Sequence, residues 1–238
     1  MSRLHRLLQV DQLEISHYKD GVFEPLVRDV SFHVQAGEMV ALTGPSGCGK
    51  SLTAQAIVGL LGKRLDVTGG RIIYQQQNVV PFNDRQWKQL RRHHIALLIQ
   101  DSLNGLNPIR TIKKQMVETI GQNRKWKRKD ILLQLHTLLN EVGFADPADI
   151  LRAYPFELSG GMRQRVLLAI MLSLEPKVII ADEPTAALDI INRERVLSLL
   201  KKLQYDYSLT VLLISHDKKS VRKFADRILK MRIEGVTS

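Results

Sequence analysis

The stretch Met39-Val40-Ala41-Leu42-Thr43-Gly44-Pro45-Ser46-Gly47-Cys48-Gly49-Lys50-Ser51 decides how the chain is read. Met39 to Thr43 is a short apolar run that stops at a glycine, which predicts a buried strand, and Ser51 to Leu61 reads as a helix. Between them, Gly44 to Ser51 matches G-x-x-x-x-G-K-[ST], a phosphate-binding loop. Its glycines let the backbone curl until N–H groups face phosphate oxygens, and the helix N-terminus adds positive potential. In such a loop Lys50 supplies charge to the β- and γ-phosphates of a nucleotide, and the Ser51 hydroxyl ligates Mg²⁺. The candidate nucleotide-binding residues are therefore Gly44, Pro45, Ser46, Gly47, Cys48, Gly49, Lys50, Ser51 and Leu52; Cys48 takes a variable position and is assigned no chemistry.

Strands and helices alternate on either side of this loop. Leu8, Val10, Leu13 and Ile15 predict one strand before it, with a turn at Lys19-Asp20-Gly21, and the alternation of Val30, Phe32 and Val34 predicts another. Gly70 to Tyr74 and Ile95 to Ile99 read as strands after it. Val178 to Ala181 and Thr210 to Ile214 are buried-type strands, and a further strand is expected near Arg227 to Met231. Helices are expected from Gly161 to Leu174, Asn192 to Leu203 and Lys218 to Phe224. This order indicates a largely parallel, doubly covered sheet. The block from about Asp101 to Leu158 is polar, basic and helical in pattern, with Ile131, Leu132, Leu135, Leu138, Leu139 and Val142 at helical spacing, and reads as an inserted lobe. Val178-Ile179-Ile180-Ala181 runs into Asp182-Glu183, two carboxylates at the C-terminal end of a buried strand, where open α/β sheets bind ligands. Asp182 would hold Mg²⁺ and Glu183 would polarise an attacking water.

Composition narrows the function classes. The chain has 238 residues, 44% of them hydrophobic and 25% charged, which excludes disorder and collagen-like structure. No apolar run approaches the ~20 residues of a membrane-spanning helix, and the N-terminus does not read as a secretory signal. The single cysteine, Cys48, excludes an internal disulfide and fits a reducing compartment. The net charge is +11, and the 21 residues from Arg110 to Asp130 hold eight basic side chains against two acidic ones. Arg124 to Lys129 is the densest part; a solvated face, a nucleic-acid grip and an approach to anionic lipid remain open readings of it.

Leu158-Ser159-Gly160-Gly161-Met162-Arg163-Gln164-Arg165 resembles the LSGGQ signature of ATP-binding cassette (ABC) ATPases. There Ser159 would N-cap the following helix, and Gly160 and Gly161 would leave N–H groups open to an anion. The other cassette elements follow in order. Gln100 resembles the Q-loop glutamine, which also serves the metal, and Ala187-Leu188-Asp189 the D-loop. His216 resembles the switch histidine, and Tyr18, with Phe23 as the runner-up, the aromatic that stacks on adenine. Gln100 to Pro108 is similar to the QDPMTSLNP segment of peptide and nickel importer ATPases, with Ser102, Gly105 and, later, Ala186 departing from that pattern.

This resemblance implies a P-loop NTPase of RecA-like α/β fold with an N-terminal antiparallel β subdomain. It implies one ATPase domain over 1–238 with an inserted helical signature subdomain at 101–158. It implies ATP and Mg²⁺ as cofactors, with Lys50, Gln100, Glu183 and His216 as the catalytic set and Ser51, Gln100 and Asp182 around the metal. The cassettes of this family close head to tail around two ATP molecules, so the signature and Asp189 would serve the partner's nucleotide. The expected partners are a second ATPase subunit (a homologous chain or a second copy), two membrane permease subunits and an extracytoplasmic substrate-binding protein. The expected place is the cytoplasmic face of the inner membrane, and the expected cargo a peptide, nickel or a metal–chelator complex. A soluble cassette acting on nucleic acid or ribosomes is the alternative. One cassette and no long coiled-coil insertion count against it, and no nucleic-acid partner is expected.

Overall fold

The structure, a computed structural model, describes residues 6–99, 105–123, 128–232 and 235–237. The chain divides into two compact units: Met1–Leu98, Lys177–Glu183 and Lys201–Ser238 form the first, Ile99–Pro176 and Pro184–Leu200 the second. The second is wider than the helical lobe expected at 101–158, because it also takes in the signature helix and the segment after Glu183.

The first unit holds two sheets. β1 (Arg6–Lys19) and β2 (Val22–Gln35) form a long antiparallel hairpin. β1 also pairs antiparallel with β4 (Leu65–Tyr74), and β5 (Gln77–Asn78) closes the order β2-β1-β4-β5. The second sheet is six-stranded and contains β3 (Met39–Thr43), β6 (Ile95–Leu98), β7 (Val178–Asp182), β8 (Thr210–Ile214), β9 (Arg227–Arg232) and β10 (Gly235–Thr237). Its order is β10-β9-β3-β8-β7-β6, parallel from β9 to β6 with β10 antiparallel at the edge.

Strand alternation sorts the residues of this sheet onto two faces. Val40, Leu42, Val178, Ile180, Leu212, Ile214, Leu229 and Met231 share one core with Ala54 and Ile57 of α1 (Lys50–Ile57) and with Leu8, Val10, Leu13 and Ile15 of β1. Ala41, Ile179, Ala181, Val211 and Leu213, on the other face, are buried as well. Burial on both faces explains why these strands read as unbroken apolar runs.

Two elements depart from the sequence expectation. α1 stops at Ile57 instead of continuing to Leu61, because Gly59 adopts φ +62° and the Arg91 guanidinium bonds the carbonyls of Val58 and Gly59 at the helix end. That arginine belongs to α2 (Asp84–His93), a helix the apolar pattern missed because Leu90 is its one buried residue. Its start is instead fixed by a capping box, in which Asn83 Oδ1 accepts from Gln86 N–H and Gln86 Oε1 accepts from Asn83 N–H.

The second unit is helical: α3 (Ile112–Asn123), α4 (Arg128–Glu141), α5 (Pro147–Arg152), α6 (Gly160–Leu172) and the first part of α7 (Ile190–Asp206). Ile112, Met116 and Ile120 of α3 are buried, as are Leu135, Leu138 and Leu139 of α4 and Val166 and Ala169 of α6. Asp146 caps α5, accepting from Ala148 and Asp149 N–H, with Pro147 in the first turn. Arg165 of α6 donates to the Gly143 carbonyl and lies 4.3 Å over the Phe144 ring, closing the end of α4. Of the basic run, Arg124 to Lys127 lie outside the described residues, as do the side chains of Arg128 and Lys129. Among the described residues no helix is long and apolar enough to cross a membrane.

Ile180 sits at the centre of β7, fully buried, between Leu97 of β6 and Leu212 of β8. Ile180→Ala should destabilise the protein by about 2–5 kcal/mol. Chemical denaturation should then show an earlier midpoint with an unchanged slope.

Candidate functional site

The site grows from three neighbouring strands. β3 lies beside β8 and β8 beside β7, all parallel, so their C-terminal ends face one edge. The loop after β3 is Gly44 to Gly49. A side chain at Gly44 would come within 2.4 Å of the Met231 carbonyl of β9. Gly49 adopts φ +97°, and a Cβ there would meet Val27 Cγ2 of β2 at 2.4 Å. The neighbouring strands therefore press the loop from both sides, and residues with side chains do not fit at these two points. Gly49 is also the N-cap of α1, which has no side-chain cap and no acidic residue in its first turn, so its terminal N–H groups are open to an anion.

Lys50 is 9% exposed and folds back on the loop, donating to the carbonyls of Gly44 (2.9 Å) and Pro45 (2.8 Å), with Cys48 Sγ at 3.8 Å. These two carbonyl acceptors hold the ammonium over the loop. The Ser51 hydroxyl bonds the Asp182 carboxylate, which links α1 to the end of β7. Asp182 is almost wholly buried, and its Oδ1 has no hydrogen-bond partner. Burial pushes its carboxyl above the ordinary range; the Ser51 bond opposes this, Glu183 adds to it and Lys50 opposes it. A buried, unpaired carboxylate oxygen beside a serine hydroxyl fits a hard divalent cation or its bound water.

Glu183 follows in the left-handed region, with φ +48°, and its N–H donates to the Ile214 carbonyl of β8 at 2.9 Å. This bend turns its side chain toward the end of β8. There Glu183 Oε1 accepts from His216 N–H at 3.0 Å and from His216 Nδ1 at 2.7 Å. The glutamate side chain is 12% exposed and the histidine 69%. One carboxylate oxygen is thus held by two donors of one residue, and the imidazole remains open to solvent.

Tyr18 and Phe23 face each other across the tip of the β1–β2 hairpin, with ring centroids 5.1 Å apart, and both rings are about half exposed. Gln100 lies outside the described residues. On the second unit, Ser159 N-caps α6, its Oγ accepting from Met162 N–H at 3.3 Å, and Gly160 and Gly161 form the first turn. Asp189 accepts from both the backbone N–H and the side-chain amide of Asn192, and the backbone bond is the main cause holding its carboxyl below the usual range. Asn192 also packs closely on Gly161, where an added Cβ would come within 3.1 Å of its Oδ1. The sequence reading missed Asn192, although an Asp three residues before it, just ahead of a helix, is the local signal of an N-cap that could have found the pair.

Comparisons with known proteins place the chain in a family. The family described as ABC transporter matches residues 27–186. The dipeptide transport ATP-binding protein DppD of Bacillus subtilis is 38% identical over 229 residues, covering 96% of this chain and 68% of that protein. The oligopeptide transport ATP-binding protein AppD of the same organism is also 38% identical, covering 94% and 69%. Among solved structures, a dimeric ATP-binding cassette in a post-hydrolysis state with ADP and phosphate superposes with TM-score 0.83 at 25% identity, over 97% of each chain. The protein cbiO1 of Clostridium perfringens, part of an ABC transporter complex, gives TM-score 0.83 at 26% identity, over 98% of this chain and 87% of that one. A phosphate loop closed at the base of α1, an acidic strand end and a histidine beside it, in a chain this similar to known cassettes, identify the protein as a member of the ABC transporter family, an ATP-binding and ATP-hydrolysing subunit.

Proposed function

We propose that this subunit hydrolyses ATP to drive import of peptides through membrane permease subunits, with substrate delivered by an extracytoplasmic binding protein. The two Bacillus subtilis relatives are named for dipeptide and oligopeptide transport, which favours peptides over the nickel or metal–chelator cargo that the sequence also allowed. The single observation that carries the catalytic part is the Glu183–His216 contact beside the lysine of the phosphate loop.

In this reading the N–H groups at the start of α1 and the Lys50 ammonium hold the β- and γ-phosphates of ATP. Ser51 and Asp182 would hold Mg²⁺, which when bound would neutralise charge on those phosphates and favour the ionised form of the buried Asp182 carboxylate. Glu183 orients a water and accepts its proton as the water oxygen bonds the γ-phosphorus; the bond to the β-phosphate oxygen breaks and ADP leaves. His216 holds Glu183 through Oε1 and keeps its exposed ring available to the γ-phosphate. Tyr18, or Phe23 beside it, stacks on adenine. Gln100 serves as the γ-phosphate sensor. The signature Ser159 to Gly161 and Asp189 complete the nucleotide site of a partner cassette, so that closure depends on the γ-phosphate and hydrolysis reopens the pair. The 101–158 lobe is the part that meets the permease, at the cytoplasmic face of the membrane.

The transport assignment is tested in proteoliposomes that contain this chain with its co-purifying permease. Peptide added with the binding protein should stimulate ATP turnover, and stimulation by duplex DNA or ribosomes instead would sink the assignment. Glu183→Gln should retain ATP affinity while turnover falls on the order of 10²–10⁴-fold, with a dimer accumulating in size-exclusion chromatography when ATP is present. Ser159→Arg should leave nucleotide binding by the same chain intact, measured with a fluorescent ATP analogue, yet abolish turnover at the facing site of a mixed dimer. Unchanged turnover there would disprove the shared site.

A further inference from the structure

We propose that the first unit carries a second ligand site, for a small amphipathic organic anion, on the sheet face opposite α1. The cavity has a volume of about 630 Å³, and its lining includes Pro45, Val221, Ile228, Arg222, Lys230 and Arg232. That size lies within the roughly 300–1,000 Å³ of small-molecule sites.

Its position follows from strand alternation. Leu229 and Met231 point into the core that contains α1, so Ile228, Lys230 and Arg232 lie on the other face of β9. Thr43 lies on that same face of β3, where its hydroxyl donates to the Leu229 carbonyl at 3.0 Å. The helix over this face is α8 (Lys218–Phe224), seven residues long, and its Val221 and Arg222 form one wall. The phosphate-facing N–H groups belong to the start of α1, on the opposite side of the sheet. The cavity meets the phosphate loop at Gly44 and Pro45 and the catalytic pair at His216.

Charge selects the ligand class. Among the described residues the lining holds three permanent cations, Arg222, Lys230 and Arg232, and no carboxylate. None of the three has an ion-pair partner among the described residues. The two described carboxylates that flank α8 are committed elsewhere: Asp217 caps α8, accepting from Lys219 N–H, Ser220 N–H and Ser220 Oγ, and Asp226 accepts from Met39 N–H and from Lys201 Nζ. Apolar walls with an unneutralised basic rim suit a ligand that has an apolar body and one anionic group. Because His216 lines the same cavity, an occupant would touch the residue that holds Glu183.

The test uses the purified full chain and two fluorescent probes that differ by a sulfonate: 1-anilinonaphthalene-8-sulfonate and the uncharged N-phenyl-1-naphthylamine. The sulfonate should bind at one saturable site and persist in excess ADP. Lys230→Glu/Arg232→Glu should weaken it by about tenfold or more. Lys230→Gln/Arg232→Gln, a milder variant should the reversal disturb folding, should weaken it less. Neither pair should change ADP affinity or the affinity for the uncharged probe. Displacement by ADP would place the probe at the phosphate loop and overturn the proposal. So would sulfonate binding that is not saturable, that is insensitive to both variant pairs, or that is matched by the uncharged probe.

Discussion

The phosphate loop, the Asp182–Glu183 pair and His216 all hang from the pairing of β3, β8 and β7. Parallel ladders hold neighbouring strands in fixed register, and here Asp182 pairs with Ile214 while Leu42 pairs with the same Ile214 from the other side. The loop after Thr43, the Asp182–Glu183 pair and His216 therefore leave the sheet at one edge. The Glu183 N–H bond to the Ile214 carbonyl then turns the glutamate toward the end of β8, where it meets His216, two residues past the strand. A register slip of one residue in β7 would send Asp182 to the opposite face and separate Glu183 from His216.

The same edge concentrates unfavourable electrostatics. Asp182 is buried with an unpaired oxygen and a second carboxylate next to it in sequence, and Lys50 is buried against carbonyls. Burying charge in this way costs stability unless a ligand completes the pairing. In the proposed reading, a polyphosphate with its divalent cation would supply the complementary charges: anionic oxygens for Lys50 and the helix N-terminus, a cation for Asp182. The site is thus preorganised for a ligand at the expense of the empty state, as electrostatic catalysis requires.

The parts of the fold that rest on local chemistry were legible in the sequence. The glycine spacing of 44–51 specified a loop, the unbroken apolar runs of β7 and β8 specified buried strands, and Ser159 was read correctly as a helix cap. Where tertiary contacts set the outcome, the pattern failed. α1 ends early because Arg91, more than thirty residues away, bonds its last carbonyls. α2 was overlooked because a helix with a single buried side chain carries almost no apolar period.

The sequence by itself determined that this chain binds a nucleotide, that its core is a parallel α/β sheet, and that a complete acid–histidine set is present. These follow from residue types and spacing, which carry local backbone preference and burial. Only the tertiary structure decided that one oxygen of Glu183 is shared by two donors of His216, that Asp182 keeps an oxygen unpaired, and that Asn192 packs closely on Gly161. Those are contacts between segments distant in the chain or set by the exact start of a helix. They depend on strand register and helix packing, and no window of sequence contains that information.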